Sequence, residues 1–325
     1  MKKKLVSVIG GGTGTYVVLQ ALKNLNLEIK AIVSMMDSGG STGRLRDQLG
    51  VLPPGDLRQC LVALSDAPIL WRKLFLYRFE KGDLKGHNFG NIFLSALEKV
   101  AGNYQEVIET ASFILKTKGE VIPVTFEKTD LGVKFSNGKI ITGEGKIDNN
   151  KSTTKKIIKA FLTKKVNPNP KAVLAIKKSD FIIIGPGDLY TSLIPPLLVE
   201  DISKAIKNTK AKIIFIVNLM TKSGQTTNFT ATNHLETITQ YLKRQPNIVL
   251  VNNGKIPKDI LKWYINHSET IVKNNLTKTE KLTIIEENLV DLNVYQKNKA
   301  DRLERSILRH NPKKLQKVLQ RIFYD

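Results

Sequence analysis

Apolar positions along the chain change period several times, and those changes outline the elements. Leu5–Ile9 is a short, β-branched-rich apolar run that stops at glycines, and Val17, Val18, Ala21, Leu22 and Leu25 then recur at helical spacing. Ile29–Ser34 is a second apolar run. Strand, glycine-rich turn, helix and strand in this order predict the opening of a doubly wound parallel sheet. Residues 57–79 and 89–116 predict helices, with apolar positions at Leu61, Leu64, Leu74 and Leu76, then at Ile92, Leu94, Leu97 and Val100.

Short strands follow at Val121–Glu127, Gly132–Phe135 and Lys139–Ile147, with Ser136-Asn137-Gly138-Lys139 between the last two. Asn-Gly between such runs is a hairpin signal, so a small antiparallel insertion is expected over 119–148. Asp148–Lys156 is polar and predicts a loop or linker. The α/β alternation then resumes, with helix Ala172–Ser179, strand Phe181–Ile184, helix Val199–Asn208, strand Ile213–Asn218, helix Thr232–Leu242, strand Ile248–Asn252 and helix Ile260–His267. Late strands are expected at 269–273 and 282–290, and an amphipathic final helix over Lys313–Phe323. No internal repeat interrupts this pattern, and both halves are expected in one sheet.

Composition narrows the class. The 325 residues are 41% hydrophobic and 25% charged, which is globular rather than disordered. One cysteine, Cys60, allows no internal disulfide and fits a reducing cytosol. Four histidines and one cysteine leave no Cys/His zinc module. No apolar stretch reaches about 18 residues, so no membrane span is expected. Met1-Lys2-Lys3-Lys4 is basic, but the apolar run behind it is too short for a signal peptide and predicts a first strand. Net charge is +22, divided as +5 over residues 1–150 and +17 over 151–325. Lysines supply 41 of the 51 basic residues and are scattered, so a solvated surface is expected, without specific nucleic-acid binding.

Six motifs carry candidate chemistry. Gly10-Gly11-Gly12-Thr13-Gly14-Thr15 joins a strand to a helix, where glycines admit a phosphate to free helix N–H groups. A dinucleotide fingerprint needs a third glycine where Thr15 stands, which disfavours an oxidoreductase. Asp37-Ser38-Gly39-Gly40-Ser41-Thr42-Gly43-Arg44-Leu45-Arg46 combines a carboxylate, hydroxyls, glycines and two arginines, suited to an anion nest. Asp37 could hold Mg²⁺, a ribose hydroxyl or an arginine. In Pro53-Pro54-Gly55-Asp56-Leu57-Arg58, Asp56 either caps the following helix or joins Arg58 on the ligand rim. In Gly86-His87-Asn88-Phe89-Gly90-Asn91, His87 is the candidate general acid or base, or else bonds locally, while Asn88 and Asn91 offer amide donors. Gly185-Pro186-Gly187-Asp188-Leu189-Tyr190-Thr191-Ser192 and Asn218-Leu219-Met220-Thr221-Lys222-Ser223-Gly224-Gln225-Thr226 stand at strand ends, where open sheets bind ligands. No Gly-x-Ser-x-Gly elbow is present, so a serine hydrolase is not expected.

Taken in order, these motifs resemble the bacterial gluconeogenesis factor family within the CofD-like, 2-phospho-L-lactate transferase superfamily. The likeness covers about residues 5–320. It implies a Rossmann-like three-layer α/β/α fold with a mostly parallel sheet, a single domain over 1–325, the small antiparallel β insertion and a C-terminal helical segment over 300–325. It also implies a cytoplasmic regulator that binds a UDP-sugar, chiefly UDP-N-acetylglucosamine, and is linked to carbon metabolism, cell shape and peptidoglycan. A protein partner in those processes and a homo-oligomer are further expectations. The alternative is a Mg²⁺-dependent phospholactyl-type transferase with Asp37 and His87 central. The family's uridine-site tyrosine and arginine match Tyr264, in Lys262-Trp263-Tyr264, and Arg309, in Leu308-Arg309-His310. Composition alone leaves Tyr264 an ordinary amphipathic-helix residue. Three departures stand out: Ser38 where the family pairs two aspartates, Asp188 in place of serine, and Gln225 in place of glutamate.

Overall fold

The computed structural model describes residues 3–151, 154–301, 303 and 305–324. The linker expected over 148–156 and the segment expected over 300–325 therefore each lie partly outside the described residues.

In chain order the strands are β1 (Lys4–Gly10), β2 (Leu27–Val33), β3 (Glu120–Pro123), β4 (Leu131–Phe135), β5 (Ile140–Thr142), β6 (Ile157–Leu162), β7 (Phe181–Ile184), β8 (Lys212–Ile216), β9 (Ile248–Asn252), β10 (Thr283–Glu287), β11 (Val290–Asp291) and β12 (Arg309–His310). The helices are α1 (Gly12–Leu22), α2 (Gly40–Leu49), α3 (Pro54–Leu64), α4 (Ile69–Leu76), α5 (Phe89–Val100), α6 (Tyr104–Leu115), α7 (Glu144–Asp148), α8 (Pro170–Lys178), α9 (Ile194–Leu197), α10 (Glu200–Asn208), α11 (Ala231–Leu242), α12 (Lys258–Asn266) and α13 (Pro312–Tyr324).

A parallel sheet in the order β10-β9-β8-β7-β1-β2-β3 joins both halves of the chain. Strand order reverses between β1 and β7, which opens a crevice above their carboxyl ends. The central strand β7 is buried at all four positions, as a run covered by helices on both faces demands. Helix α13 buries Leu315, Val318, Leu319 and Phe323, one stripe at helical spacing, and packs on α1.

The antiparallel insertion is present with altered bounds. Strands β5-β4-β6 form it, with β4 antiparallel to both neighbours. The Asn-Gly turn joins β4 to β5, with Gly138 at φ +85°. The first expected strand, β3, instead pairs parallel with β2 at the edge of the main sheet. Residues Glu144–Asp148 are the helix α7 rather than strand. The small sheet takes its third strand from β6, beyond the expected insertion.

The expected helix 57–79 is two helices, because Pro68 interrupts it ahead of α4. The expected helix 89–116 likewise breaks near Gly102, and Asn103 caps α6 by accepting from Glu106 N–H. The glycine-rich stretch after Asp37 folds as α2. Its Gly43 lies so close to the Ser38 carbonyl that a Cβ would sit 2.2 Å from the oxygen. Of the strand expected at 269–273, only a bridge between Ile271 and Met220 forms.

Candidate functional site

The glycine turn after β1 lies at the crevice. Gly12, Thr13 and Gly14 line a cleft formed with the loops after β2, β7 and β8 and with Leu303, Arg305, Ser306 and Leu308–His310. Gly12 is left-handed at φ +67°, and its N–H donates to Asp56 Oδ1 at 2.8 Å. Asp56 thus caps α1 from across the cleft. It does not cap α3, where it lies within the first turn. A Cβ on Gly11 would fall 2.0 Å from Asp56 Oδ2, and one on Gly14 would fall 1.9 Å from the Pro186 carbonyl. Both positions therefore have to be glycine for protein packing before any ligand is considered.

Asp37 faces the same cleft. Its Oδ1 accepts from Gly39 N–H at 2.9 Å, and its Oδ2 lies 2.3 Å from where a Gly55 Cβ would stand. Burial, then the charge of Asp37, push the Asp56 carboxyl up from 3.8 to about 7. Glu144 of α7 is raised well above the usual range by desolvation and then by Asp37. Asp148 is raised by desolvation and then by Asp188. It accepts from Gln225 Nε2 at 2.6 Å and from Thr191 Oγ1 at 3.1 Å. The antiparallel insertion thus supplies carboxylates to the cleft.

Cations face these acids. Arg58 is 7% exposed, and its Nε donates to Asn91 Oδ1 at 2.7 Å. Desolvation, then Arg78, lower its pKa to about 10. Arg305 and Arg78 meet Asp301 at 3.0 and 3.4 Å. Lys222 meets Asp188 at 3.7 Å, so the carboxylate that replaces the family's serine is matched by a cation. The guanidinium of Arg309 lies 3.4 Å above the Tyr295 ring. The remaining departures also have partners: Ser38 Oγ accepts from Gly145 N–H at 3.2 Å, away from the cleft, and Gln225 serves Asp148.

Of the residues expected at the site, the cleft gathers Gly12, Thr13 and Gly14, then Asp37, Gly39 and Ser41, and finally Asn91, Gly187, Asn218, Thr221 and Arg309. The others stand behind it or away from it. Gly10 ends β1, and its carbonyl accepts from Ser34 N–H. Gly11 packs on Asp56, Gly40 on Leu303, and Gly43 on Ser38. Arg44 donates to the Lys85 carbonyl at 3.3 Å, and Arg46 to Asp130 at 2.6 Å. Neither arginine lines the cleft. Asn88 caps α5 by accepting from Asn91 N–H, and its N–H donates to Ser41 Oγ. Gly185 approaches the Ile216 carbonyl.

Two expected roles change more sharply. His87 is buried, and its Nδ1 lies 3.2 Å from Ser41 Oγ, one layer behind the cleft wall. It is hydrogen-bonded to Ser41, which lines the cleft. Tyr264 is 0% exposed and belongs to a second apolar cluster with Leu219, Ile260 and Leu308. Its hydroxyl lies 2.6 Å from Ser306 Oγ and accepts from Leu308 N–H at 2.9 Å. It holds the chain that carries Arg309 and offers no face to a nucleobase.

Cleft residues that no sequence motif singles out include Glu144, Asp148, Arg78 and Arg305. They come from the insertion, the chain after α4 and the chain before β12. None sits in a glycine-rich motif, and only the Asp301/Arg305 spacing hints at a local pair. Among the described residues, no group of three or more His, Cys, Asp or Glu side chains is placed to hold a metal ion. No helix is long and apolar enough to cross a membrane among the described residues.

Residues 6–290 match the family described as 2-phospho-L-lactate transferase CofD. A putative gluconeogenesis factor of Aquifex aeolicus is 40% identical over 336 residues, covering 99% of this chain and 97% of that one. The gluconeogenesis factor of Halalkalibacterium halodurans is 39% identical over 323 residues, covering 98% and 96%. The crystal structure of a member of the UPF0052 family from Bacillus halodurans superposes with a TM-score of 0.87 at 36% identity, covering 98% of this chain and 99% of that one. A shared cleft-bearing sheet, a family match over most of the length and relatives aligned nearly end to end lead to one assignment: the chain belongs to the CofD family, among its gluconeogenesis factors.

Proposed function

We propose that the cleft binds a UDP-sugar, UDP-N-acetylglucosamine in the first instance, and that the protein is a cytoplasmic regulator acting on carbon metabolism, cell shape and peptidoglycan synthesis, with a protein partner downstream. One observation carries this reading. The first turn of α1 opens into the same cleft as Arg58, Arg305 and Arg309, so helix N–H groups and guanidinium forks converge where a diphosphate would lie. Asp56 already occupies the Gly12 N–H. The diphosphate is therefore left with the N–H groups of Thr13 and Gly14 and with the arginines. Tyr264 does not support a stacked uracil, and Arg309 alone remains of the expected pair.

A second reading is favoured by the proximity of Asp37 and Asp56. Two carboxylates together with a substrate's phosphate oxygens are the usual way Mg²⁺ is held. On that reading the protein is a phospholactyl-type transferase in which Asp37 positions the metal-bound phosphate.

A thermal-shift and calorimetric panel of UDP-N-acetylglucosamine, GTP, GDP and NAD(P), with and without Mg²⁺, separates them. UDP-sugar at about 100 times its Kd should stabilise the fold by roughly 2.7 kcal/mol. Response to NAD(P) without response to UDP-sugars would sink the leading reading. Tight, Mg²⁺-dependent GTP binding abolished in Asp37→Asn would favour the transferase.

A further inference from the structure

Two buried acceptors at one end of the cleft have no partner among the described residues: His310 Nε2 and Asn218 Oδ1. Buried polar side-chain atoms are rarely left so, and both residues line the cleft. The chemistry of each follows from its other bonds. His310, 5% exposed on β12, is hydrogen-bonded to the backbone of Val217. The Val217 N–H already donates to Leu250, so only its carbonyl is left to receive the histidine. Because Nε2 is the unpartnered nitrogen, Nδ1 makes that bond and carries the proton. Nε2 then presents a lone pair. Asn218 is fixed in the same way: its Nδ2 donates to the Gly187 carbonyl at 2.8 Å, which leaves Oδ1 as a bare acceptor.

Val217 and Asn218 are consecutive, so the two acceptors belong to one corner, at the end of β8. Leu219, Met220 and Leu308 supply apolar wall there, each at most 7% exposed. A phosphate would meet lone pairs in this corner and be repelled. A flat or neutral group with an N–H or O–H would be accepted.

We propose that His310 and Asn218 form an acceptor pair that selects a neutral hydrogen-bond donor on the nucleoside part of the ligand, and so fixes the ligand's direction, nucleoside at β8 and phosphates toward α1. Burial supports this by lowering the His310 pKa to about 4, so the ring stays neutral at physiological pH. The inference rests on the UDP-sugar reading and adds to it the residues that choose the nucleoside.

The test measures UDP-N-acetylglucosamine and its N3-methyl, 2′-deoxy and 3′-deoxy analogues by calorimetry. Wild type, His310→Phe, His310→Gln and Asn218→Leu are compared, each with a melting curve. The expected result is that the wild type binds one analogue about tenfold or more weakly than the parent, near 1.4 kcal/mol. His310→Phe should weaken the parent to a similar degree and erase that penalty. His310→Gln, whose Oε1 can stand where Nε2 stood, should restore part of it. Should a variant unfold, the wild-type analogue series still decides. Parent binding with equal affinity for every analogue, or an undiminished penalty in both His310→Phe and Asn218→Leu, would overturn the acceptor pair alone. No binding of the parent by the wild type would overturn the UDP-sugar reading along with it.

Discussion

Asp56 has the clearest electrostatic consequence of any single residue. Its carboxyl is raised from 3.8 to about 7 in the fold, chiefly by burial. Below about pH 4 both folded and unfolded chains hold the proton, and nothing is lost. As pH rises from about 4 to 7, the unfolded chain releases its proton while the folded chain keeps it. The folded state binds more protons, so stability falls across that window and then levels off. The raised carboxyls of Glu144 and Asp148 push in the same direction. Asp56→Asn keeps an oxygen for Gly12 N–H and should flatten the Asp56 part of the slope. Urea midpoints measured from pH 4 to 8 in the wild type and the variant check this.

Tyr264 and Arg309 lie near one another in the fold but do different work. Tyr264→Phe strands the buried Leu308 N–H and should cost about 1–3 kcal/mol of stability. Tyr264→Ala empties a packed aromatic site and should cost about 3–5 kcal/mol. Arg309→Ala should instead leave the melting temperature nearly unchanged and weaken UDP-sugar binding about tenfold. Paired denaturation and titration of the three variants separate scaffold from ligand contact. A Tyr264→Phe variant of full stability would return the tyrosine to the ligand.

Among the elements, α2 shows how packing reverses a propensity. Replacing glycine by alanine inside an open helix gains up to about 1 kcal/mol. At Gly43 the new methyl would lie 2.2 Å from the Ser38 carbonyl, so Gly43→Ala should destabilise by about 1–3 kcal/mol. Chemical denaturation gives the sign directly, and a stabilised variant would mean that the loop before α2 yields freely. The last turn of the same helix ties it to the small sheet: Arg46, expected on phosphate, bonds Asp130 just before β4. That sheet in turn brings Glu144 and Asp148 of α7 to the cleft.

For the molecule as a whole, the net charge of +22 is carried mainly by scattered lysines in the second half. Attraction of nucleic acid by such a surface comes from counterion release and falls steeply with salt. Binding to random and defined DNA duplexes should therefore be equal at low salt and lost by about 0.2 M. Sequence-selective binding that survived that salt would mark a specific interface. The central sheet also sets where chemistry can happen, since parallel strands leave their carboxyl ends at a single edge and the order reverses between β1 and β7.

Local pattern was enough to specify the α/β class, the parallel strands, the hairpin turn and the glycine loop at the head of α1. These follow from periodicity and backbone freedom, which neighbouring residues dictate. The motifs also brought Asp37 and Asn218 to the candidate site, and the family resemblance brought Arg309. Long-range contacts were needed to establish that Asp56 caps α1 rather than α3 and that Arg44 and Arg46 turn to protein carbonyl and carboxylate. The same holds for His87, which stands behind Ser41, and for Tyr264, which is core. Those outcomes depend on positions far apart in the chain, where burial and charge compete, and no short motif records which partner wins.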